Sequence, residues 1–525
     1  MSAAAGPRPS KKWSIAVWAV VAAASVVLSY IVSLCLALAC LALPLLLIYG
    51  RLLGFGALLL AAFGIVVGIT ILWSLIPRRD RFEPPGVRID LSEQRRLAEE
   101  IESVASTLGE PMPAEVYLIP DVNAFVAQRG GFLGMGSRRV MGLGLPLMQV
   151  LTLSQFRAVL AHEFAHFYSG DTRLGPWVFK SRSAMARVIN SLGQPSAFLQ
   201  LLGRFGIVAI AHTVVIGGLV AYWKLFMRIT QLISRRQEYR SDELACHIAG
   251  SDALIGGLQG INKASAAVGP YWNTVVVPAI NIGYRPQLAD GFGRFMNAPA
   301  ILKAASDYLA RQLTSQQTDP LDTHPPLNAR IAKARALDIV VERTDDQPSI
   351  SLIDNLSNLE KALLGRMAPA LANAALKPME WETAGAEVYL PSWQKHVTEF
   401  LRLLSGITVA SLPQILRDPR DIAARIPDPP GMLLTREQRS ERAATLLRCA
   451  LTLALLDHGW KLQIQPGHFS VQRGDLSLEP PVLIPKLQSG ELSAQGWSIY
   501  CADAGIDDWP LDQFSFLSNP NGILP

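Results

Sequence analysis

The pattern of apolar and polar positions begins with one very long apolar run. From Trp13 to Ile76 the only charged residue is Arg51. This run is too long for a single membrane span of about 20 residues, and too long for the apolar part of a cleavable signal peptide. Arg51 has Gly50 before it and Gly54 after it, which indicates a turn. The pattern therefore predicts a transmembrane hairpin of two helices over residues 13–77.

Basic residues flank this hairpin on both sides. They are Arg8, Lys11 and Lys12 before it, and Arg78, Arg79 and Arg81 after it. Because cytoplasmic flanks carry the excess of Lys and Arg, we expect both ends on the cytoplasmic side and an even number of spans. Residues 1–12 are then a cytoplasmic tail, and the lipid bilayer is a partner of the chain.

After the hairpin, the spacing of apolar residues alternates between that of helices and that of strands. It predicts an amphipathic helix over Ser92–Leu108, a strand over Glu115–Ile119, a turn-prone glycine-rich segment over Asn123–Gly136 and a strand over Arg139–Leu145. A long apolar and helical region follows. This order is typical of a mixed α+β, mainly α, domain.

Composition supports a membrane setting. Half of the 525 residues are hydrophobic and 17% are charged, which is a low charged fraction for a soluble protein. The net charge of +5 comes with no basic patch interleaved with aromatic residues, so we expect no nucleic acid partner. The five cysteines form no Cys-x-x-Cys pair, so we expect neither a redox motif nor a cysteine zinc site.

The segment His162-Glu163-Phe164-Ala165-His166 carries the clearest chemistry. On a helix, residues four apart share a face, so His162 and His166 can bind one metal ion. Glu163 lies beside them and can act as a general base. Ser154 is the expected N-cap of this helix. The alternative is a chance match on a structural helix.

A third metal ligand is expected in the helix predicted from Ser234 to about Ile248. Glu238 and Asp242 are again four residues apart. Glu238 would complete a site of two histidines and one glutamate, and Asp242 would hold the ring N–H of a ligating histidine. The alternative is a solvated charged helix with ion pairs along it.

Five motifs in order resemble the integral-membrane zinc metallopeptidases that include the HtpX heat-shock proteases and the CAAX prenyl proteases. They are Asn123-Ala124-Phe125, the strand Val140–Leu145, the His-Glu-x-x-His segment, Glu238-Tyr-x-x-Asp242 and Thr323-His324-Pro325 with Arg330-Ile331. The resemblance runs from about residue 90 to 340. It implies a gluzincin-like metalloprotease core, one zinc ion per chain, and the HtpX-like branch, because the prenyl-processing branch needs more spans.

The resemblance also implies roles for residues outside the zinc site. His324 would be catalytic by stabilising the oxyanion, although a structural role beside Pro325-Pro326 is left open. Asn123, Ala124 and Phe125 would bind substrate, and an exposed edge strand would take a polypeptide as an added extended strand.

These observations predict a membrane-bound endopeptidase that hydrolyses protein substrates with a zinc-activated water and Glu163 as general base. Membrane-protein quality control is the expected setting. We expect it in the cytoplasmic membrane of a bacterium, with the catalytic domain on the cytoplasmic side. The alternative is a catalytically silent zinc scaffold or signalling sensor, whose expected mark would be loss of the general base; Glu163 is present.

Two regions complete the predicted organisation. Within a metallopeptidase domain over residues 84–340, Phe205–Trp223 carries no formal charge and is expected to be membrane-associated. A lone crossing would put His166 and Glu238 on opposite sides of the bilayer, so we expect this helix not to cross alone. Residues 345–525 are predicted to form an α+β accessory domain of unknown role.

Overall fold

The computed structural model describes ten stretches of the chain. They are residues 12–52, 54–76, 82–130, 136–168, 185–189, 206–314, 325–342, 345–368, 376–428 and 434–518. The described residues form two compact units. The first unit contains residues up to 262 together with 309–355, and the second contains 263–308 together with 356–525.

The helices and strands are as follows. The α-helices are α1 (Lys12–Tyr49), α2 (Phe55–Leu75), α3 (Arg95–Thr107), α4 (Leu145–Val150), α5 (Leu153–Tyr168), α6 (Gly206–Ala249), α7 (Ser251–Tyr271), α8 (Val277–Asn281), α9 (Leu288–Asn297), α10 (Pro299–Thr314), α11 (Leu327–Leu337), α12 (Leu356–Met367), α13 (Leu390–Glu399), α14 (Leu412–Arg417), α15 (Arg420–Arg425), α16 (Arg436–Asp457), α17 (Pro480–Ser489), α18 (Ala494–Ala504) and α19 (Ser515–Ser518). The strands are β1 (Val87–Ile89), β2 (Glu115–Ile119), β3 (Ala124–Arg129), β4 (Arg138–Gly144), β5 (Tyr284–Pro286), β6 (Lys377–Met379), β7 (Lys461–Gln465), β8 (His468–Arg473) and β9 (Leu476–Leu478). Residues 185–189 are also helical. The mainly helical α+β architecture predicted from the sequence is confirmed.

The N-terminal apolar run folds as the predicted helical hairpin. The turn between α1 and α2 contains Arg51 in the left-handed region, with φ of 56°. Gly64 and Gly68 allow the two helices to approach closely. A Cβ atom on Gly64 would lie 2.5 Å from the carbonyl oxygen of Cys40, and one on Gly68 would lie 2.6 Å from Leu41 Cγ. Small residues four apart are a common way for membrane helices to pack.

Three helical segments of the described chain are long and apolar enough to cross a membrane. They are Ala24–Tyr49, Phe55–Leu75 and Gly206–Arg228. The third forms the first half of α6, which continues without interruption to Ala249. The predicted helices at 205–223 and 234–248 are therefore one helix, described from residue 206 onwards. No glycine or proline interrupts the sequence between Gly218 and Gly250, so nothing in the backbone chemistry ends the helix earlier.

The first unit also contains a four-stranded sheet in the order β1-β2-β4-β3. Strand β2 pairs with β4 in parallel, whereas β1 and β3 are antiparallel to their neighbours. The glycine-rich pattern of residues 123–136 predicts turns, whereas Ala124–Arg129 forms the strand β3. The glycines of residues 123–136 all lie after Arg129. Ala124–Arg129 can therefore pair with β4 along its whole length.

The helix α5 begins with a cap that differs from the prediction. The Thr152 hydroxyl accepts a hydrogen bond from the N–H of Gln155, and the Gln155 side chain accepts one from the N–H of Thr152. This reciprocal pair is a capping box, so Thr152 is the N-cap and the assignment of Ser154 was wrong. The Ser154 hydroxyl instead bonds the backbone of Asp345. Gly170, a residue type that favours the C-terminal cap of such a helix, lies outside the described residues.

The second unit is built around α16, whose central residues are fully buried. The antiparallel sheet β7-β8-β9 and the parallel pair β5-β6 belong to the same unit. The alternating pattern over Leu476–Tyr500 predicts strands, but of this range only Leu476–Leu478 forms one, β9. Pro480 and Pro481 occupy the first turn of α17, where a missing N–H costs no hydrogen bond, and α18 follows.

The domain limits predicted from the sequence stay a prediction. The packing divides the described chain at 355–356 and groups 263–308 with the C-terminal residues, a grouping that local sequence patterns do not reveal.

Candidate metal centre

The two histidines of the His-Glu-x-x-His segment lie on one face of α5. Their ring centroids are 4.8 Å apart at an interplanar angle of 86°. His162 is buried, with 7% of its surface exposed, whereas His166 and Glu163 are half-buried. The histidine pair therefore has one member inside the protein and one member closer to solvent.

The helix α6 brings Glu238 to these histidines. Glu238 Oε2 lies 3.5 Å from His162 Nε2, and Glu238 Oε1 lies 3.6 Å from His166 Nε2. The three potential ligand atoms all lie within 4.8 Å of one another. Two imidazole nitrogens and one carboxylate oxygen are a donor set that suits zinc and leaves a fourth position open. The residues present therefore fit a catalytic zinc ion.

Asp242 lies one helical turn after Glu238 and contacts the other nitrogen of His162. Its Oδ1 is 3.0 Å from His162 Nδ1. Arg330 on α11 donates two hydrogen bonds to the same carboxylate, at 2.9 Å from Nε and 2.7 Å from Nη2. Its Nη1 is 3.8 Å from Glu238 Oε2. One guanidinium therefore contacts both carboxylates.

The charges around His162 favour a positive charge at this position. Burial alone would lower the pKa of His162, but its hydrogen bonds to Asp242 and Glu238 raise it to about 9. Burial alone would raise the pKa of Asp242, but the hydrogen bonds from Arg330 and His162 hold it below its ordinary value. The carboxylates that stabilise a proton on His162 would also stabilise a bound cation.

Two contacts around the site were not anticipated from the sequence. The Ser241 hydroxyl lies 3.2 Å from His166 Nδ1. Lys333 Nζ lies 3.2 Å from the ring centroid of Tyr239, which ties α11 to α6 beside Arg330. A hydroxyl next to Asp242 was the one feature that pointed to the first contact.

A buried ion pair and a cation–π contact hold the metal-binding helix in place. Arg157 on α5 bonds Glu100 on α3 through two contacts, of 2.5 and 3.0 Å, and both side chains are about nine-tenths buried. Arg139 on β4 lies 4.4 Å from the ring centroid of Phe167, the residue after His166. The sheet and α3 thus fix the position of α5.

The predicted substrate residues lie at the edge of the sheet. Strand β3 is the last strand in the order and pairs only with β4 among the described strands. Asn123 is exposed and precedes the strand, Ala124 is buried, and Phe125 is half-buried. His324 lies outside the described residues, so its predicted role stays a prediction.

Comparison with known proteins connects this arrangement to a protease family. Residues 91–338 match the model of peptidase family M48. Among curated proteins, the chain is similar to Protease HtpX of Pseudomonas entomophila (strain L48), with 26% identity over 35% of this chain and 62% of the relative. It is also similar to Protease HtpX of Pseudomonas putida (strain GB-1), with 28% identity over 35% of this chain and 62% of the relative. Protease HtpX of Vibrio atlanticus (strain LGP32) is 24% identical over 46% of this chain and 71% of the relative.

These similarities cover only part of each chain. The chain spans about 60% of the length of the first two of these relatives. No solved structure matches the chain significantly. The matched residues contain all the described side chains of the metal centre.

Proposed function

Because residues 91–338 match the model of peptidase family M48, we propose that this chain is a membrane-bound zinc endopeptidase. We propose His162, His166 and Glu238 as the zinc ligands. The single observation that carries the proposal is the convergence of these side chains from α5 and α6, with ligand atoms within 4.8 Å of one another. The helices α1, α2 and the first half of α6 support its attachment to a membrane.

The reaction is the hydrolysis of a peptide bond without a covalent intermediate. A zinc ion at this site would polarise the scissile carbonyl and make the attacking water more acidic. Glu163 follows His162 directly on α5 and is half-buried, so its carboxylate is accessible to water. Its carboxylate takes a proton from the water during attack and returns that proton to the leaving amine.

Asp242 and Arg330 act through His162. The carboxylate of Asp242 accepts the Nδ1 proton of His162, which leaves Nε2 as the ligand atom. The two hydrogen bonds from Arg330 fix the orientation of that carboxylate. Asp242 and Arg330 are therefore positioning residues rather than catalytic ones.

A polypeptide substrate would bind in extended form along β3. An edge strand offers its main-chain N–H and C=O groups to another strand, so binding needs little side-chain specificity. Asn123, Ala124 and Phe125 lie at the start of this edge. His324 is the proposed donor to the oxyanion.

The zinc ligands, on α5 and on the second half of α6, would lie on the cytoplasmic side of the membrane. The described residues 185–189 lie between His166 and Glu238 in the sequence. Met185 and Val188 are buried in the same apolar cluster as Val67 of α2 and Leu219 of α6. A second helical segment therefore packs with the first half of α6 through its apolar residues, which supports a paired rather than a lone membrane segment. We propose the turnover of membrane proteins as the role.

Substrate trapping tests this proposal. The full chain carrying Glu163→Gln should keep its fold and bind substrate without cutting it. Crosslinking in native membranes should therefore enrich membrane proteins on this variant relative to the unmodified chain. Equal capture by both forms, together with no cleavage of any captured protein by the unmodified chain, would favour a silent zinc scaffold.

A further inference from the structure

The second unit contains a cavity of about 710 Å³ that the proposed peptidase chemistry does not use. Its wall includes residues from α7, α13, α16 and the β7–β8 hairpin. Sites for small molecules and peptide ends usually measure about 300–1,000 Å³, so the cavity is large enough for several residues of a peptide.

Two π-helical turns contribute to the wall of this cavity. One is Trp272–Val276, which follows α7, and the other is Gly385–Tyr389, which precedes α13. They are the only π-helical segments in the described part of the chain. A π-helical turn is rare and is found frequently at functional sites. Both turns border the same cavity, which favours a binding site over a packing defect.

The inner wall is aromatic. Trp393 stacks on Phe469, with centroids 5.0 Å apart and an interplanar angle of 9°. Tyr389 lies 6.1 Å from Trp393, and Trp381 is buried with its indole N–H bonded to Gln287. Flat aromatic faces of this kind bind apolar and aromatic side chains.

One charged side chain on the cavity wall forms no ion pair within the described part of the chain. Arg448 of α16 is half-buried and lines the cavity. Among the described residues, its guanidinium forms no ion pair or hydrogen bond; the only bond at this residue is from Thr452 to the backbone carbonyl. A guanidinium on the wall of an apolar cavity that has no protein partner is available to pair with an anionic ligand. Carboxylates match its fork of N–H donors.

The rim of the cavity is polar. Asn273 and Gln465 are exposed, Ser392 is half-buried, and Glu479 adds one exposed carboxylate. Within the described chain the side chains of Asn273, Ser392 and Gln465 have no hydrogen-bond partners. Their amide and hydroxyl groups can bond the amides of a peptide backbone. An alkyl chain has no such groups, so a fatty acid could not form these hydrogen bonds with the rim.

We propose that this cavity binds the free C-terminus of an apolar polypeptide segment. The terminal carboxylate pairs with Arg448, the last side chains lie against Trp393 and Phe469, and the backbone leaves over the polar rim. The second unit is thereby a peptide-binding unit. This site lies outside the proposed catalytic centre and does not depend on it.

Peptide binding by the full-length chain in detergent tests the proposal. The background variant is Glu163→Gln, which prevents cleavage. The probe is a fluorescein-labelled hexapeptide with apolar C-terminal residues, prepared with a free carboxylate and with a C-terminal amide. The carboxylate form should bind about tenfold more tightly, because a hydrogen bond to a charged group has that effect or more. Palmitate serves as the competing fatty carboxylate.

Arg448→Met should lower the affinity for the carboxylate form of the peptide about tenfold, so that both peptide forms bind equally well. Arg436→Met is the matched control, since Arg436 lies on the same helix but is exposed and outside the cavity. Ser392→Trp, which fills the cavity, should weaken both peptide forms and gives a second measurement if Arg448→Met does not fold.

Three results would overturn the proposal. They are equal binding of the acid and the amide, unchanged binding by both Arg448→Met and Ser392→Trp, and Arg448-dependent binding of palmitate without binding of the peptide. Because the readout is binding, its failure is distinct from a failure of the proposed peptidase activity.

Discussion

Replacing Asp242 by asparagine should weaken zinc binding without removing a zinc ligand. Asp242 Oδ1 lies 3.0 Å from His162 Nδ1. Asparagine keeps an oxygen of similar shape but loses the negative charge that fixes the tautomer of His162. Loss of such a supporting carboxylate typically costs about 10–100-fold in metal affinity, which corresponds to about 1.4–2.7 kcal/mol.

The geometry around Arg330 places the effect at the upper end of this range. In the variant, Arg330 loses the anionic partner of two hydrogen bonds while its Nη1 remains 3.8 Å from Glu238 Oε2. Only 11% of the Arg330 side chain is exposed, so the guanidinium has little access to water. It should then turn toward Glu238 and compete with zinc for that carboxylate. We expect a loss of about 100-fold.

A chelator competition on the purified full chain measures this affinity. Glu243→Gln is the matched control, because Glu243 lies next to Asp242 on α6 but pairs with Arg240. The control should change zinc affinity by less than about threefold. The double variant Asp242→Asn with Arg330→Met should bind zinc more tightly than Asp242→Asn alone, since the competing guanidinium is gone.

Two outcomes would refute this reasoning. Equal zinc affinity in Asp242→Asn and Glu243→Gln would show that Asp242 does not support His162. A double variant weaker than Asp242→Asn would show that Arg330 does not compete for Glu238 when its partner is lost.

Three further predictions concern the surroundings of the site. His324→Ala should lower kcat by roughly 100-fold, the effect of losing one oxyanion donor, with KM and zinc content nearly unchanged; loss of thermal stability instead would indicate a structural residue. Ser241→Ala removes the hydroxyl 3.2 Å from His166 Nδ1. It should lower the zinc affinity by no more than about tenfold in the chelator competition. Single cysteines at Ser103 and Asp252, both exposed, should label from the cytoplasmic side in a chain without other cysteines; labelling from opposite sides would contradict the paired membrane segment.

The residues that share one face of α5, and those that share one face of α6, could be predicted from the sequence because this depends only on local periodicity. His162 and His166, like Glu238 and Asp242, share a helical face through their spacing of four. What the spacing does not give is the contact between helices. The hydrogen bonds from Arg330 to Asp242 join residues 88 positions apart, and only the fold brings them together.

Other elements escaped the sequence analysis for local reasons. The strand β3 has no strong alternation and lies beside a glycine-rich stretch, so its pairing with β4 decides its conformation. Thr152 and Ser154 are both residue types that cap helices. The reciprocal hydrogen bonds between Thr152 and Gln155 make Thr152 the N-cap. Pro480 and Pro481 are compatible both with a turn between two strands and with the first turn of a helix. Packing in the second unit decides in favour of the helix.

The zinc content of two variants, measured beside their cleavage of a protein substrate, tests the central claim most directly. Glu163→Gln should retain about one zinc ion per chain, because Glu163 is not a ligand, while cleavage falls by about 10²–10⁴-fold for loss of a general base. Glu238→Ala should lose both zinc and cleavage. Full zinc content in Glu238→Ala, or an unchanged cleavage rate in Glu163→Gln, would contradict the account.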